Sequence, residues 1–303
     1  MIKESNVDIH ADDYAYSINT SKDILECMKM GNLDSISIIC NMADFEESMN
    51  MLYEAIPSLP FLPKMSVHIS LPEGKGVSDL LPISWVKLFF ASYSMMNSEI
   101  YHKLKQELKW QIDTTNKVIN KCIELARKHK IPYSQSGIRL DSHIHTHPLP
   151  IVWNALMDVI DEEQYDIEYI RNPKEPIMPF IRNLSLIKTY GISNLIKNRI
   201  LNLYSYKIDR YLKKHKISRM YMWGLAMSGH MDYERVERLY PAVLDYAKKR
   251  DRNLELLFHP GKASENEYSE LMNRNYFDDA NSSENRSIEK NTVMNIKNIT
   301  NRS

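Results

Sequence analysis

Between Leu140 and Pro148 the chain reads Leu-Asp-Ser-His-Ile-His-Thr-His-Pro, which places Asp141, His143, His145 and His147 at every second position. That is strand spacing, because successive side chains of a strand point to opposite faces. It predicts one carboxylate and three imidazoles on one face, with Ser142, Ile144 and Thr146 on the other. Taking four ionisable groups out of water needs a compensating partner, and a divalent cation supplies one. Imidazole and carboxylate ligands suit zinc, iron, manganese or magnesium. The alternative is a polar loop whose histidines titrate in solvent.

Such groups act together only on a rigid frame, and strand and helix signals alternate along the chain. Short runs rich in apolar or β-branched residues predict strands at 7–10, 35–40, 65–71, 138–145, 166–170, 219–223 and 254–258. Helices are predicted at 18–30, 45–55, 99–129, 150–160, 179–215 (broken near Gly191) and 232–249. The clearest is 99–129, where Leu104, Leu108, Ile112, Thr115, Ile119, Cys122 and Ala126 recur every three or four residues between Lys and Glu. Alternating strands and helices imply a parallel sheet with right-handed crossovers. The expected fold is therefore α/β, an irregular TIM-like (β/α) barrel with about seven parallel strands; an open doubly wound sheet is the second choice.

The composition bounds the function. The chain has 303 residues, with 39 basic against 39 acidic side chains and 43% hydrophobic content. The length allows one large barrel, and the zero formal charge gives no reason to expect nucleic acid or membrane as a partner. No signal peptide or transmembrane run is apparent, and Cys27, Cys40 and Cys122 are too scattered for a zinc knuckle. They read as buried thiols of a cytoplasmic protein. Only 8 glycines occur, none in a phosphate-binding loop. Residues 1–275 are expected to form the barrel. The tail 276–303, rich in Asn, Ser, Asp and Glu, is expected to be disordered or loosely attached. Residues 72–82, with Pro, Gly and Ser, read as a long loop after the third strand.

Mapped onto these strands, the ionisable residues collect at C-terminal ends. Asp12 and Asp13 follow the first strand, Asn41 the second, and His68 lies in the third; His143 and His145 close the fourth, Arg171 follows the fifth and His259 the seventh. Barrel enzymes gather catalytic groups at that rim. Taken singly, the aspartates could cap a helix, His68 could be merely hydrogen-bonded and His259 a turn residue. Trp85, Trp153 and Trp223 either stack on a ligand near the rim or pack in the core.

Four separated segments carry a resemblance to the YdjC/ChbG-like carbohydrate deacetylase family. His10-Ala11-Asp12-Asp13-Tyr14-Ala15 resembles the family's Asn-Ala-Asp-Asp-Phe-Gly, and Ser66-Val67-His68-Ile69 its Gly-Leu-His-Leu. Leu140 to His147 is similar to its Leu-Asp-Ser-His-x-His-x-His, and Glu255 to Pro260 to its Glu-x-x-x-His-Pro. The resemblance implies removal of the acetyl group from an N-acetylated sugar or oligosaccharide. It implies one divalent metal ion, magnesium first and zinc, manganese or cobalt as alternatives, held by Asp13, His68 and His143. Asp12 would be the catalytic base and His259 the acid. Asp141 and His145 would orient the ligands, while Arg171 neutralises Asp12 or meets substrate hydroxyls and Asn41 serves in the same outer role. A metal-dependent phosphoesterase and a non-catalytic sugar-binding descendant are the rival readings; a homodimer is left open. His10 and Ala15 depart from the family pattern, and their consequence is a question for the structure.

Overall fold

The computed structural model describes residues 6–94, 98–181, 183 and 192–301. Seven parallel strands form one sheet: β1 (Val7–Tyr14), β2 (Ser35–Ile38), β3 (Lys64–Ile69), β4 (Ile138–Ser142), β5 (Ile167–Ile170), β6 (Met220–Trp223) and β7 (Asn253–Phe258). Their order is β5-β4-β3-β2-β1-β7-β6, so β5 and β6 are the two edges. The sheet curls, and the segment that follows β5 bridges to the other edge. There Met222 N–H donates to the Lys174 carbonyl at 3.1 Å, and the buried Glu175 carboxylate accepts the N–H groups of Gly224, Leu225 and Ala226 at 2.8–3.1 Å. The fold is thus the expected α/β barrel-like one, left open along a single line.

Helices α1 (Ile18–Lys29), α2 (Phe45–Ala55), α3 (Trp85–Ala91), α4 (Ser98–His129) and α5 (Pro150–Glu163) follow the first strands. After β5 come α6 (Met178–Ile181) and α7 (Ile192–Lys214), and α8 (Tyr233–Lys248) follows β6. The break expected near Gly191 lies outside the described residues. In α4 the residues singled out by periodicity are the buried ones, Leu104, Leu108, Ile112, Thr115, Ile119, Cys122 and Ala126, so one stripe of a long helix covers the sheet. All three cysteines are buried and free.

What fills the barrel is unusual for the architecture. Apolar strand residues such as Ala11, Ile36, Ile38, Met65, Leu254 and Phe258 pack in the same core cluster as the helices, while the alternate positions on β1, Asp8, His10 and Asp12, are all buried. Asp8 pairs with Arg139 of β4 at 3.1 Å, and Arg139 lies over the Tyr169 ring at 4.3 Å. A column of charged and hydrogen-bonding groups therefore runs up the interior, where layers of branched apolar side chains are the usual filling.

The C-terminal segment corrects the expectation of a disordered tail. After β7 the chain forms α9 (Arg274–Tyr276), a π-helical turn at Phe277–Asn281, α10 (Glu284–Met294) and α11 (Lys297–Thr300). Phe277, Val293, Ile296 and Ile299 are at most 3% exposed. Asn32 Nδ2 donates to the carbonyls of Val293 and Met294, and Lys290 pairs with Asp23 and Glu26 of α1. A segment laid against an existing domain needs only one apolar stripe, so its low overall apolar content was a poor guide.

Candidate active site

The site is built around an irregularity in β1. Strand β1 pairs with β2 as His10 with Ser35 and Ala11 with Ile36, and then as Tyr14 with Ile38. The extra residue is a bulge, a device that re-aims side chains. The strand was expected to end at residue 10; it continues to Tyr14 with Asp13 at φ 71°, a left-handed conformation that costs on the order of 1–3 kcal/mol away from glycine. The kink turns Asp12 and Asp13 toward the same interior, although simple alternation would send them to opposite faces.

Strand β4 likewise departs from expectation. It ends at Ser142, and His143–His145 form a 3₁₀ turn in which Ile144 (φ 44°) and His145 (φ 57°) are left-handed. The four alternating groups therefore do not share a face. Asp141 stays in the barrel, His143 swings to Asp13, and His145 lines the cavity above. His147 turns back into the scaffold, with Nε2 donating to the Arg171 carbonyl at 2.8 Å and Nδ1 at 2.6 Å from Ser142 Oγ.

Asp13, His68 and His143 converge. His68 Nε2 lies 3.4 Å and His143 Nδ1 3.0 Å from the same oxygen, Asp13 Oδ1, and all three residues are at most 2% exposed. Asp141 Oδ1 is 2.6 Å from His68 Nδ1. That contact takes the Nδ1–H, so in the neutral ring the Nε2 lone pair faces Asp13, and among the described residues Nε2 has no aligned hydrogen-bond partner. An acid and two imidazoles meeting in a dry pocket need positive charge between them, supplied either by protons on the rings, as in the His143 Nδ1–Asp13 hydrogen bond, or by a metal ion that replaces those protons. Oxygen and imidazole donors within 4.8 Å of one another fit a divalent ion.

Asp12 is organised differently. Arg171 holds it through two hydrogen bonds, and His10 Nε2 stands 3.1 Å from its Oδ1. His10, which stands where the family pattern has Asn, is itself wedged between Ser35 and Ser37 at 2.6 Å from each hydroxyl. Arg171 also reaches Asp141 at 3.3 Å and Glu255 at 2.6 Å, and Glu255 accepts from the Tyr169 hydroxyl. Asp12 Oδ2 faces His259 Nε2 at 4.0 Å.

Charge sets the protonation states. Burial alone would raise Asp12 and Asp13, but Arg171 and His68 hold Asp12 well below the usual carboxylate range. His143 and Arg286 do the same for Asp13. Burial works against charge on His68 and His143 too; Asp12 and Asp141 nevertheless bring His68 up to about 10, and Asp13 with Glu73 brings His143 to about 8. His145 is pushed well down by burial, assisted by Lys197 and Arg171, and burial takes His147 down to about 4.

The C-terminal segment supplies groups that the sequence reading missed. Arg286 donates to Asp13 Oδ2 at 2.9 Å. Glu289 accepts the His259 N–H at 2.6 Å and lies 3.5 Å from its Nδ1. The Tyr276 ring sits edge-on to His143, with centroids 5.2 Å apart. Val293, Ile296 and Ile299 at three-residue spacing, and Ser283 capping α10, were the available signals that a helix would bring them there. Asn41, by contrast, does not line the cavity: its Nδ2 donates to the carbonyls of Ser70 and Glu73, steadying the loop after β3. Trp153 and Trp223 are core, and Trp85 stacks on Phe89 away from the site. The cavity itself, about 430 Å³, is lined by Asp12, Asp13, His68, His143, His259 and Tyr276 among others, within the usual range for small-molecule sites.

The model of a family described as YdjC-like protein matches residues 6–296. A carbohydrate deacetylase of Thermoanaerobacter pseudethanolicus (strain ATCC 33223 / 39E) is 27% identical over 232 residues, covering 68% of this chain and 88% of that protein. A crystal structure from Enterococcus faecalis V583, described as a cellobiose-phosphate cleavage protein, superposes with a TM-score of 0.47 at 15% identity, over 95% of this chain and 94% of that one.

Proposed function

Starting from the fact that the chain belongs to the YdjC-like family, we propose that it is a metal-dependent carbohydrate deacetylase, cleaving the N-acetyl group of an amino sugar or its oligosaccharide. The observation that carries this reading is the approach of His68 Nε2 and His143 Nδ1 to Asp13 Oδ1 at 3.4 and 3.0 Å in a buried pocket opening on the cavity. Its relative's name points the same way.

Asp13, His68 and His143 would hold one divalent ion. Such an ion, when bound, polarises the acetyl carbonyl and makes the attacking water more acidic. Asp12 Oδ2 takes the proton of that water as the new carbon–oxygen bond forms. Arg171 keeps Asp12 ionised and oriented for this, through hydrogen bonds of 2.8 and 2.9 Å. His259, 4.0 Å from Asp12 Oδ2, gives a proton to the nitrogen as the carbon–nitrogen bond breaks, so that acetate and a free amine leave. Glu289 anchors His259, and His145, neutral because of its burial, meets substrate polar groups.

A two-metal phosphoesterase would need a second cation among His10, Asp12 and Asp141, whose ligand atoms are also close. Arg171 already occupies that charge position, 2.8 Å from Asp12 and 3.3 Å from Asp141. The test is acetate release from N-acetylated sugars and oligosaccharides by protein stripped of metal and resupplied with Mg, Mn, Co or Zn. No release on any substrate with any ion would defeat the proposal.

A further inference from the structure

Glu73 is a buried carboxylate, 2% exposed, that the reaction outlined above does not use. It lies in the loop after β3. Its Oε1 accepts the Asn273 N–H at 2.6 Å and the Tyr16 hydroxyl at 3.3 Å. Its Oε2 stands 2.8 Å from His143 Nε2 in an ion-pair contact that falls short of an aligned hydrogen bond. Among the described residues neither of these two atoms has a hydrogen-bond partner elsewhere. His143 is confined on other sides by Tyr16, stacked at 6.0 Å, and Tyr276, edge-on at 5.2 Å, so its ring cannot turn freely to find one.

The arrangement repeats that of the other imidazole. His68 has Asp141 on one nitrogen and Asp13 Oδ1 before the other; His143 has Glu73 on one nitrogen and the same Asp13 oxygen before the other. Glu73 does not itself belong to the group of ligand atoms that converge within 4.8 Å, so it acts from behind. We propose that Glu73 is the positioning residue of His143: it accepts the Nε2–H, fixes the tautomer and presents the Nδ1 lone pair to the cation site. Carboxylates behind metal-bound imidazoles do this generally, and their removal costs about 10–100-fold in metal affinity. The assignment rests on the metal reading given above. Because Oε1 is held by Asn273, the C-terminal segment reaches His143 through Glu73 as well as Asp13 through Arg286.

The experiment is titration of the full-length, metal-stripped protein with Co²⁺ by calorimetry, alongside its visible absorption spectrum and thermal midpoint. E73A is expected to weaken Co²⁺ binding about 10–100-fold and to alter the spectrum, which reports the donor set. E73Q keeps the shape and one acceptor oxygen, and is expected to lose about tenfold with a thermal midpoint near wild type. Wild-type affinity and spectrum in E73Q and E73A together overturn the proposal. If E73A does not fold, E73Q decides alone, unchanged affinity counting against. Wild-type protein that binds none of Co²⁺, Mn²⁺ or Zn²⁺ refutes instead the metal reading on which the assignment rests.

Discussion

Arg171 grips Asp12 with both ends of its guanidinium, Nη1 to Oδ2 at 2.9 Å and Nη2 to Oδ1 at 2.8 Å. This fork separates two neighbouring aspartates into different roles. Asp12 has its charge balanced by protein and faces His259, whereas Asp13 turns one oxygen to two imidazoles and the other to Arg286.

Asp12→Asn is therefore expected to leave metal affinity nearly intact while cutting turnover by about 10²–10⁴, the usual worth of a general base. Asp13→Asn is expected to lose the ion, with activity partly restored at high metal concentration by mass action. Calorimetry and acetate assays on both variants check the pair; the reverse pattern would exchange the roles.

Arg171→Met leaves Asp12, Asp141 and Glu255 buried without their shared counter-charge. Breaking a buried ion pair from one side costs about 3–5 kcal/mol, so the urea midpoint should fall by that equivalent. A variant as stable as wild type would mean that water or a bound ion already screens these carboxylates.

Stability and metal binding should depend on pH in opposite ways above neutrality. The folded values of about 8 for His143 and about 10 for His68 lie above the ordinary value near 6.5. Their stabilising contribution is complete below about pH 6.5 and fades as pH rises through 8 and then 10. Metal competes with those protons, so affinity should climb over the same window with proton release. On the acid side His145 and His147, held neutral by burial, oppose folding as pH falls from about 6.5 toward 4. Thermal midpoints of the stripped protein and Zn²⁺ titrations between pH 5 and 9 test both limbs; an affinity flat across that range contradicts them.

Ala15 sits at φ 70°, where the family pattern has glycine. An alanine there carries left-handed strain of about 1–2 kcal/mol, against which glycine's greater freedom in the unfolded chain sets about 0.4–1 kcal/mol. Ala15→Gly should raise stability by up to about 1.6 kcal/mol, the strain relieved less the freedom gained by the unfolded chain, read as a higher thermal midpoint with unchanged metal affinity.

Strand and helix positions were legible because their period is repeated many times: seven strands and the stripe of α4 emerge where the pattern predicts. The groups meeting at the rim were legible because the chemistry-bearing residues follow strands. The pattern failed where the backbone leaves regular geometry. Asp13, Ile144 and His145 are left-handed without being glycine, and no spacing rule foretells that alternation stops there. It failed again for Glu73, Arg286 and Glu289, which reach the site from a loop and a polar C-terminal helix, where an isolated charge looks like any solvated one.

Neighbouring strands elsewhere in the sheet are joined by backbone ladders, whereas the two edges are linked, among the described residues, through the segment after β5: the Lys174 carbonyl meets Met222 of β6 and the Glu175 carboxylate meets the turn that follows it. Gly224 and Leu225, which line the cavity, are held by that carboxylate, while Asp12, Asp13, His68 and His143 stand at the ends of ladder-bound strands. The cavity thus has one wall carried by ladder-bound strands, which presents Asp12, Asp13, His68 and His143, and another whose backbone N–H groups converge on a single carboxylate, Glu175.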